Sequence, residues 1–276
     1  MMSFFKVVQY NLYMGCIVQL IKKMSRTVMK EIRSRAKMLN FERPLVTVDV
    51  VIFCVSDGAL KALLLRRPDQ SDEPFPGRWA LPGGFVDVKK DPSLRDCASR
   101  KLLEKTGITT PYLEQLGSWG SGDRDPRGWS ATHAYFALIQ IPSGEAGSPA
   151  LAKDKTDGST ASQWFEVGES VRKRLAFDHS EILAAAIARL RSKVEYTSLP
   201  AFLLHEPFTL PELQRTYEVV LGRPMDKSAF RRRMLDAEFL EEVGAVDGSS
   251  GRSALGYRIK NRALAVTFPR TFRSTE

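Results

Sequence analysis

Four charged residues near the middle of the chain are spaced so that they could do chemistry together. Arg100, Lys101, Glu104 and Lys105 fall within LPGGFVDVKKDPSLRDCASRKLLEKTGI (81–108), on the polar side of a predicted helix. Carboxylates at spacing i, i+3 and i+4 share one helix face and together can hold Mg²⁺ against a diphosphate. Of positions 101, 104 and 105, only 104 is acidic. The two lysines repel a divalent cation and attract phosphate directly. The helix is predicted from about Ser93, a good N-cap with Asp96 at the capping-box position, to Thr106, with Gly107 as the C′ residue. Leu94, Cys97, Ala98, Leu102 and Leu103 recur at three- and four-residue spacing and define its buried face. Upstream, the turn Gly83-Gly84 follows an apolar segment, giving strand, loop and helix in order.

The stretch resembles the Nudix box, G-x5-E-x7-R-E-U-x-E-E-x-G-U with U aliphatic. Counted back from Gly107 and Ile108, Arg100 takes the arginine, Leu102 the aliphatic position and Glu104 the first glutamate of the pair. Lys101 and Lys105 stand where the family has its other helical glutamates, and Pro92 falls on the upstream one. The loop from Gly84 is two residues longer than the pattern. A local charge of about −3 thus becomes about +1. The resemblance implies a site that still holds its nucleotide, with no metal and no catalytic residue beyond the remnants Glu104 and Arg100.

Other ligand candidates flank the box. Arg66 ends a predicted strand, and PGRWALPGGF (76–85) contributes Arg78, Gly83 and Gly84. The segment GSGDRDPRG (120–128), with Arg124, Asp125 and Arg127, resembles the nucleotide-side loop of Nudix proteins that handle ADP-ribose-like ligands. By composition alone it could equally be a solvated turn.

The elements that must position these groups are readable in part. LVTVDVVIFCV (45–55) and ALKALLLRR (59–67) form a predicted hairpin around Asp57-Gly58. LEQLGSW and ATHAYFALIQI are further strands, residues 143–162 an exposed loop, and SQWFEV (162–167) another strand. A long helix follows over 174–193, with His179 bracing the turn Asp178-His179 and not acting in catalysis.

With 276 residues, 43% apolar and 26% charged, the chain suits two modest soluble domains. Cys16, Cys54 and Cys97 have neither CxxC nor metal-ligand spacing, which fits a reducing cytoplasm. The net charge of +9 is concentrated at the start. Residues 1–43 hold nine Lys/Arg against two acids, a net of +7, which leaves +2 for the remainder, so global charge says little about nucleic acid. This segment fits neither a membrane span nor a signal peptide, and reads as a basic arm or as sequence upstream of the true start.

From Tyr196 the pattern changes. TSLPAFLLHE (197–206) and TLPELQRTYEVVLG (209–222) are predicted helices, the second with a Thr209/Glu212 capping box. A third, DKSAFRRRMLDAEFL (226–240), starts at Asp226 and carries Lys227, Ser228, Arg231, Arg232 and Arg233. Strands near 240–245 and 254–260 enclose the tip DGSSGR, which bears Arg252. Three helices and a hairpin make a winged helix-turn-helix, whose third helix enters the major groove while the wing rests on the backbone.

The fold class expected is α/β (α+β): a Nudix α/β/α sandwich over 44–193, then a winged helix over 196–276. That order, with FTLPELQRTYEVVLGRPMDKSAFRRRML and GRSALGYRI, is similar to the Nudix-related transcriptional regulators of NAD metabolism (NrtR). The resemblance implies a homodimeric repressor on a near-palindromic double-stranded operator, with ADP-ribose or a related nucleotide as effector and no cofactor required. Lys227, Ser228 and Arg231 would read bases, and Arg232, Arg233 and Arg252 would contact phosphates. The alternative is a Nudix hydrolase of ADP-ribose or a related nucleoside diphosphate, with a C-terminal domain for assembly.

Overall fold

The structure, a computed structural model, describes residues 42–70, 72–107, 109–110, 112–141, 161–170, 174–247, 253–269 and 271–272. Residues 1–41 of the basic arm, most of the 143–162 loop, Ile108 and the wing tip with Arg252 lie outside the described residues.

Strand β1 (Leu45–Ser56) is the axis of the first half, buried continuously from Thr47 to Cys54. Its β-branched run suits a strand covered on both faces. Val48, Val50, Ile52 and Cys54 pack with Cys97, Ala98 and Leu102 of helix α1 (Leu94–Thr106). Val51 and Phe53 face the other layer, with Ile182, Leu183 and Ala186 of α3 (His179–Val194). This alternation, one side chain up and the next down, builds the α/β/α sandwich.

Around β1 runs a seven-stranded mixed sheet. Strand β6 (Ser130–Leu138) is parallel to β1, and β5 (Tyr112–Ser121) is antiparallel to β6. On the other edge, β2 (Ala59–Arg66) returns through Asp57-Gly58, both in the left-handed region at φ 54° and 71°. That is the backbone a tight hairpin requires. The short strands β3 (Trp79–Ala80) and β4 (Gly83–Phe85) pair with β2 and β1, and β7 (Ala161–Glu166) pairs with β2 and runs into the short helix α2 (Val167–Ser170).

Four local expectations need correction. Leu103 is 47% exposed, and the last turn of α1 buries Thr106 instead. Helix α3 begins at His179, not Arg174, because Phe177 at φ 53° interrupts helical backbone. Segment 197–206 is only a 3-10 helix, Leu199–Leu203, followed by strand β8 (Phe208–Thr209). The third helix of the tail ends at Asp236, because Glu238 at φ 51° turns the chain so that Phe239 and Leu240 are buried.

The tail comprises that 3-10 helix, β8, α4 (Leu210–Leu221), α5 (Lys227–Asp236), β9 (Leu240–Asp247) and β10 (Ser253–Ile259), with strand order β8-β10-β9. Thr209 and Glu212 form the full capping box of α4. One buried cluster spans the junction near Tyr196: Leu190 and Val194 belong to the same cluster as Phe202, Leu213, Tyr217, Phe230 and Met234. The buried Tyr217 hydroxyl donates to the Thr197 carbonyl at 2.8 Å, and Arg191 Nε donates to the Val220 carbonyl at 3.2 Å. Such a shared core resists independent movement of the two halves.

Candidate functional site

A cleft of about 870 Å³ opens where β4, the end of β2 and the polar face of α1 converge. Gly83 and Gly84 form its floor for different reasons. A Cβ on Gly83 would lie 2.0 Å from Asp49 Oδ1 and 2.6 Å from the Val48 carbonyl oxygen, so only glycine fits. At Gly84 the absent side chain lets Lys101 Nζ approach to 3.0 Å of where a Cβ would stand.

On the α1 wall, Glu104 is held by Arg100 Nη1 at 2.8 Å and Lys101 Nζ at 3.4 Å. Partial burial works against its ionisation, but the Arg100 hydrogen bond and the Lys101 charge outweigh burial and hold its carboxyl below the usual range. Lys105 lines the same wall. On this wall Glu104 is the one carboxylate, and it already shares its charge with two side-chain cations, whereas a hard divalent ion takes several oxygen ligands.

The longer loop has a consequence that counting from the box misses. Asp91, not Pro92, reaches Arg100, accepting from Nε at 2.7 Å and Nη2 at 2.6 Å and from the Asp87 amide at 2.8 Å. The Arg100 hydrogen bonds hold the buried Asp91 carboxyl well below the usual range. Asp91 is the acid adjacent to Pro92, so allowing the insertion to shift the register by one would have found it.

Opposite α1, the three residues of the 120–128 loop divide their roles. Arg124 lines the back of the cleft but is buried, and its guanidinium is committed to Asp178, at 2.8 Å through both Nε and Nη2. It also donates to Ser130 Oγ at 3.3 Å and lies 3.5 Å from Asp49. The expectation of a phosphate ligand here gives way to a brace between the loop and the start of α3. His179, read as a brace, accepts from the Leu81 amide at Nδ1 (2.9 Å), with Nε2 3.5 Å from Asp49. Burial opposes ionisation of Asp49, but His179 and Arg124 outweigh it and hold the carboxyl low. The buried Asp125 accepts from Arg127 Nε at 3.0 Å and Nη2 at 2.8 Å, which holds Arg127 at the cleft edge over the Phe85 ring, 5.1 Å from its centroid.

Arg66 is exposed on the cleft wall, with Nε donating to the Gly77 carbonyl at 3.3 Å. Arg78 does not line the cleft; it stacks on Phe75 at 5.4 Å. Its neighbour Arg67 lines the cleft instead, between Glu73 (2.6 Å) and the Phe177 ring (5.1 Å). Burial lowers the pKa of this arginine, and nearby Arg127 adds to the effect. Asp49, Phe85 and Phe177 carried no local sequence signal of a site, and Asp178 only that of a turn, because each acquires its partner through the fold.

The second candidate surface is α5. Asp226 caps it, accepting from the Ala229 amide at 2.7 Å, and Phe230 and Met234 anchor it in the core. Lys227, Ser228, Arg231 and Arg232 are exposed. Arg233 is not presented with them: it lies over the Phe272 ring at 3.9 Å and donates to the Thr271 carbonyl at 3.0 Å. A phosphate role is replaced there by attachment of the C-terminal segment. Among the described residues no helix is long and apolar enough to cross a membrane.

Family models match at both places. Residues 44–186 match the NUDIX domain, and residues 200–259 match the NrtR DNA-binding winged helix domain. The chain is 44% identical over 231 residues to the ADPR responsive transcriptional repressor NtrR of Acinetobacter baylyi, covering 84% of this chain and 88% of that relative. It is 30% identical over 162 residues to an ADP-ribose pyrophosphatase of Methanocaldococcus jannaschii, covering 59% of this chain and 83% of that enzyme. Among solved structures, Shewanella oneidensis NrtR complexed with a 27mer DNA matches with a TM-score of 0.70 and 38% identity, covering 83% of this chain and 99% of that one.

Proposed function

This chain belongs to the NrtR family, a NUDIX domain joined to a winged helix, and from that premise we propose that it is a transcriptional repressor of NAD metabolism genes. A nucleotide of the ADP-ribose type, held in the cleft, changes its affinity for DNA. The observation that carries this reading is the double charge reversal on α1 within a cleft of nucleotide size. Lys101 beside Gly84, with Lys105 on the same wall, offers cations to a diphosphate, while Glu104 is taken up by Arg100 and Lys101. The nucleotide is bound and not cut, and binding needs neither metal nor cofactor.

For DNA, Lys227, Ser228 and Arg231 read base edges in the major groove, and Arg232 and Arg252 contact phosphates. A homodimer presents two copies of α5 to a near-palindromic site with half-sites about one helical turn apart. Helix α3 supports communication between the two sites: its first turn meets the cleft floor through Asp178 and His179, and its last turns share the core of α4 and α5.

Gel shifts on the gene's own upstream region, with and without ADP-ribose, test the regulator. Substitutions on α5 are preferable to truncation, because removing residues 196–276 would expose the shared core. Binding that shows no sequence preference and is unchanged in a Lys227→Ala/Arg231→Ala double variant would overturn the reading. Likeness to the pyrophosphatase favours a second one, a hydrolase of ADP-ribose or a related nucleoside diphosphate derivative. Formation of AMP and ribose 5-phosphate from ADP-ribose with Mg²⁺ or Mn²⁺ separates the two: near-background turnover supports the regulator, and on the order of 1 per second supports the enzyme.

A further inference from the structure

Phe85 is a large aromatic residue that the fold holds in the open. It is 44% exposed and lines the cleft, yet its backbone is fixed: Phe85 is in register with Thr47 of β1, and the next amide, Val86, donates to the Val46 carbonyl at 3.2 Å. Arg127, itself anchored by the buried Asp125, lies over the ring. Successive residues of a strand face opposite ways. In β4 the Gly84 position therefore faces the Lys101 ammonium, while Phe85 faces the Arg127 side. A ligand crossing β4 meets a cation on one side and a flat apolar surface on the other.

The adenosine diphosphate portion of ADP-ribose has that same polarity, with an anion at one end and a planar base at the other. We propose that Phe85, backed by Arg127, is the surface on which the purine base of the bound nucleotide stacks. This assignment rests on the cleft being the nucleotide site and adds which end of the ligand goes where. A base ring covers aromatic surface that is otherwise exposed, and such stacking is strong enough to be read in affinity.

The test uses the full chain, with ADP-ribose and pyrophosphate as separate calorimetric probes. Phe85→Leu preserves bulk and apolarity at a partly exposed site, so the fold is retained, but it removes the π face. It should weaken ADP-ribose roughly tenfold while leaving pyrophosphate unchanged. Phe85→Trp should retain ADP-ribose affinity and add an emission quenched by ADP-ribose but not by pyrophosphate, relative to wild type. Unchanged ADP-ribose affinity in Phe85→Leu, an equal fall for both probes, or an unquenched tryptophan overturns the proposal. If wild type binds no ADP-ribose, the nucleotide reading falls and takes this one with it. If stacking behaves as expected but ADP-ribose leaves DNA affinity unaltered, only the regulatory reading falls.

Discussion

The cleft and the exposed face of α5 are both rich in cations, but the fold treats them differently. In the cleft, Arg67, Arg100, Arg124 and Arg127 are each tied to a carboxylate: Glu73, Asp91, Asp178 and Asp125 respectively. On α5, Lys227, Arg231 and Arg232 stand in solvent, and only Arg233 is folded back, onto Phe272. A small anion is best met by charges whose positions are already set, because little is then lost in ordering them. DNA is met by long exposed side chains that settle on contact and displace counterions. The two surfaces should therefore respond differently to substitution, salt and pH.

The largest difference is expected at the buried brace. Arg124→Leu takes from Asp178 its paired guanidinium and from Asp49 one of its partners, and breaking a buried pair from one side costs about 3–5 kcal/mol. Thermal or urea unfolding should show that loss, whereas Arg231→Ala on the open face should stay within about 0.5 kcal/mol of wild type. Equal stability for the two variants would erase the distinction between a set cleft and an adaptable helix.

Ligand affinity comes next. Lys101→Glu should weaken ADP-ribose by on the order of tenfold or more, since a charge-assisted contact contributes about 1.5–3 kcal/mol. EDTA should leave wild-type binding as it is. Calorimetry checks both, and binding that requires Mg²⁺ and survives Lys101→Glu and Lys105→Glu would contradict the metal-free site.

On DNA, Arg231→Ala should cost about 1–3 kcal/mol and relax preference at one base position, while Arg232→Ala should weaken all sequences alike and reduce the salt slope by about one. Binding measured over a salt series distinguishes them. If the two variants behave identically, the assignment of base and phosphate roles along α5 is wrong.

The smallest effect concerns acid. Asp91 has its folded pKa depressed below the ordinary 3.8, chiefly by the Arg100 hydrogen bonds. Its contribution to stability is therefore present above about pH 4 and is lost as pH falls through the folded value. Melting temperatures taken downward from pH 5 should fall more steeply for wild type than for Asp91→Asn. Parallel curves would mean that the Asp91–Arg100 pair contributes little to stability.

What the chain determined by itself lies within a few residues along the backbone. Ser93 and Gly107 cap α1, the Ser93 hydroxyl accepting from the Asp96 amide and the Gly107 amide donating to the Leu103 carbonyl. Thr209 and Glu212 cap α4, and Asp57-Gly58 turns β1 into β2. These follow from short-range hydrogen bonding and allowed φ, so they could be read from neighbours in sequence, whereas the reversal of charge at positions 101 and 105 shows only against the Nudix pattern. The tertiary structure decided how the charges are used. Arg124 looked like a ligand contact within its loop and became a brace because the fold brings Asp178 to it from 54 residues away. Arg233 looked like one of three equivalent arginines and was turned inward by a C-terminal segment 38 residues on. Asp91, beside the Pro92 that falls on the upstream glutamate position, became the partner of Arg100 across the longer loop. A side chain's type and neighbours give its chemistry, but whether that chemistry faces a ligand or another residue depends on which distant segments the packed core carries to it.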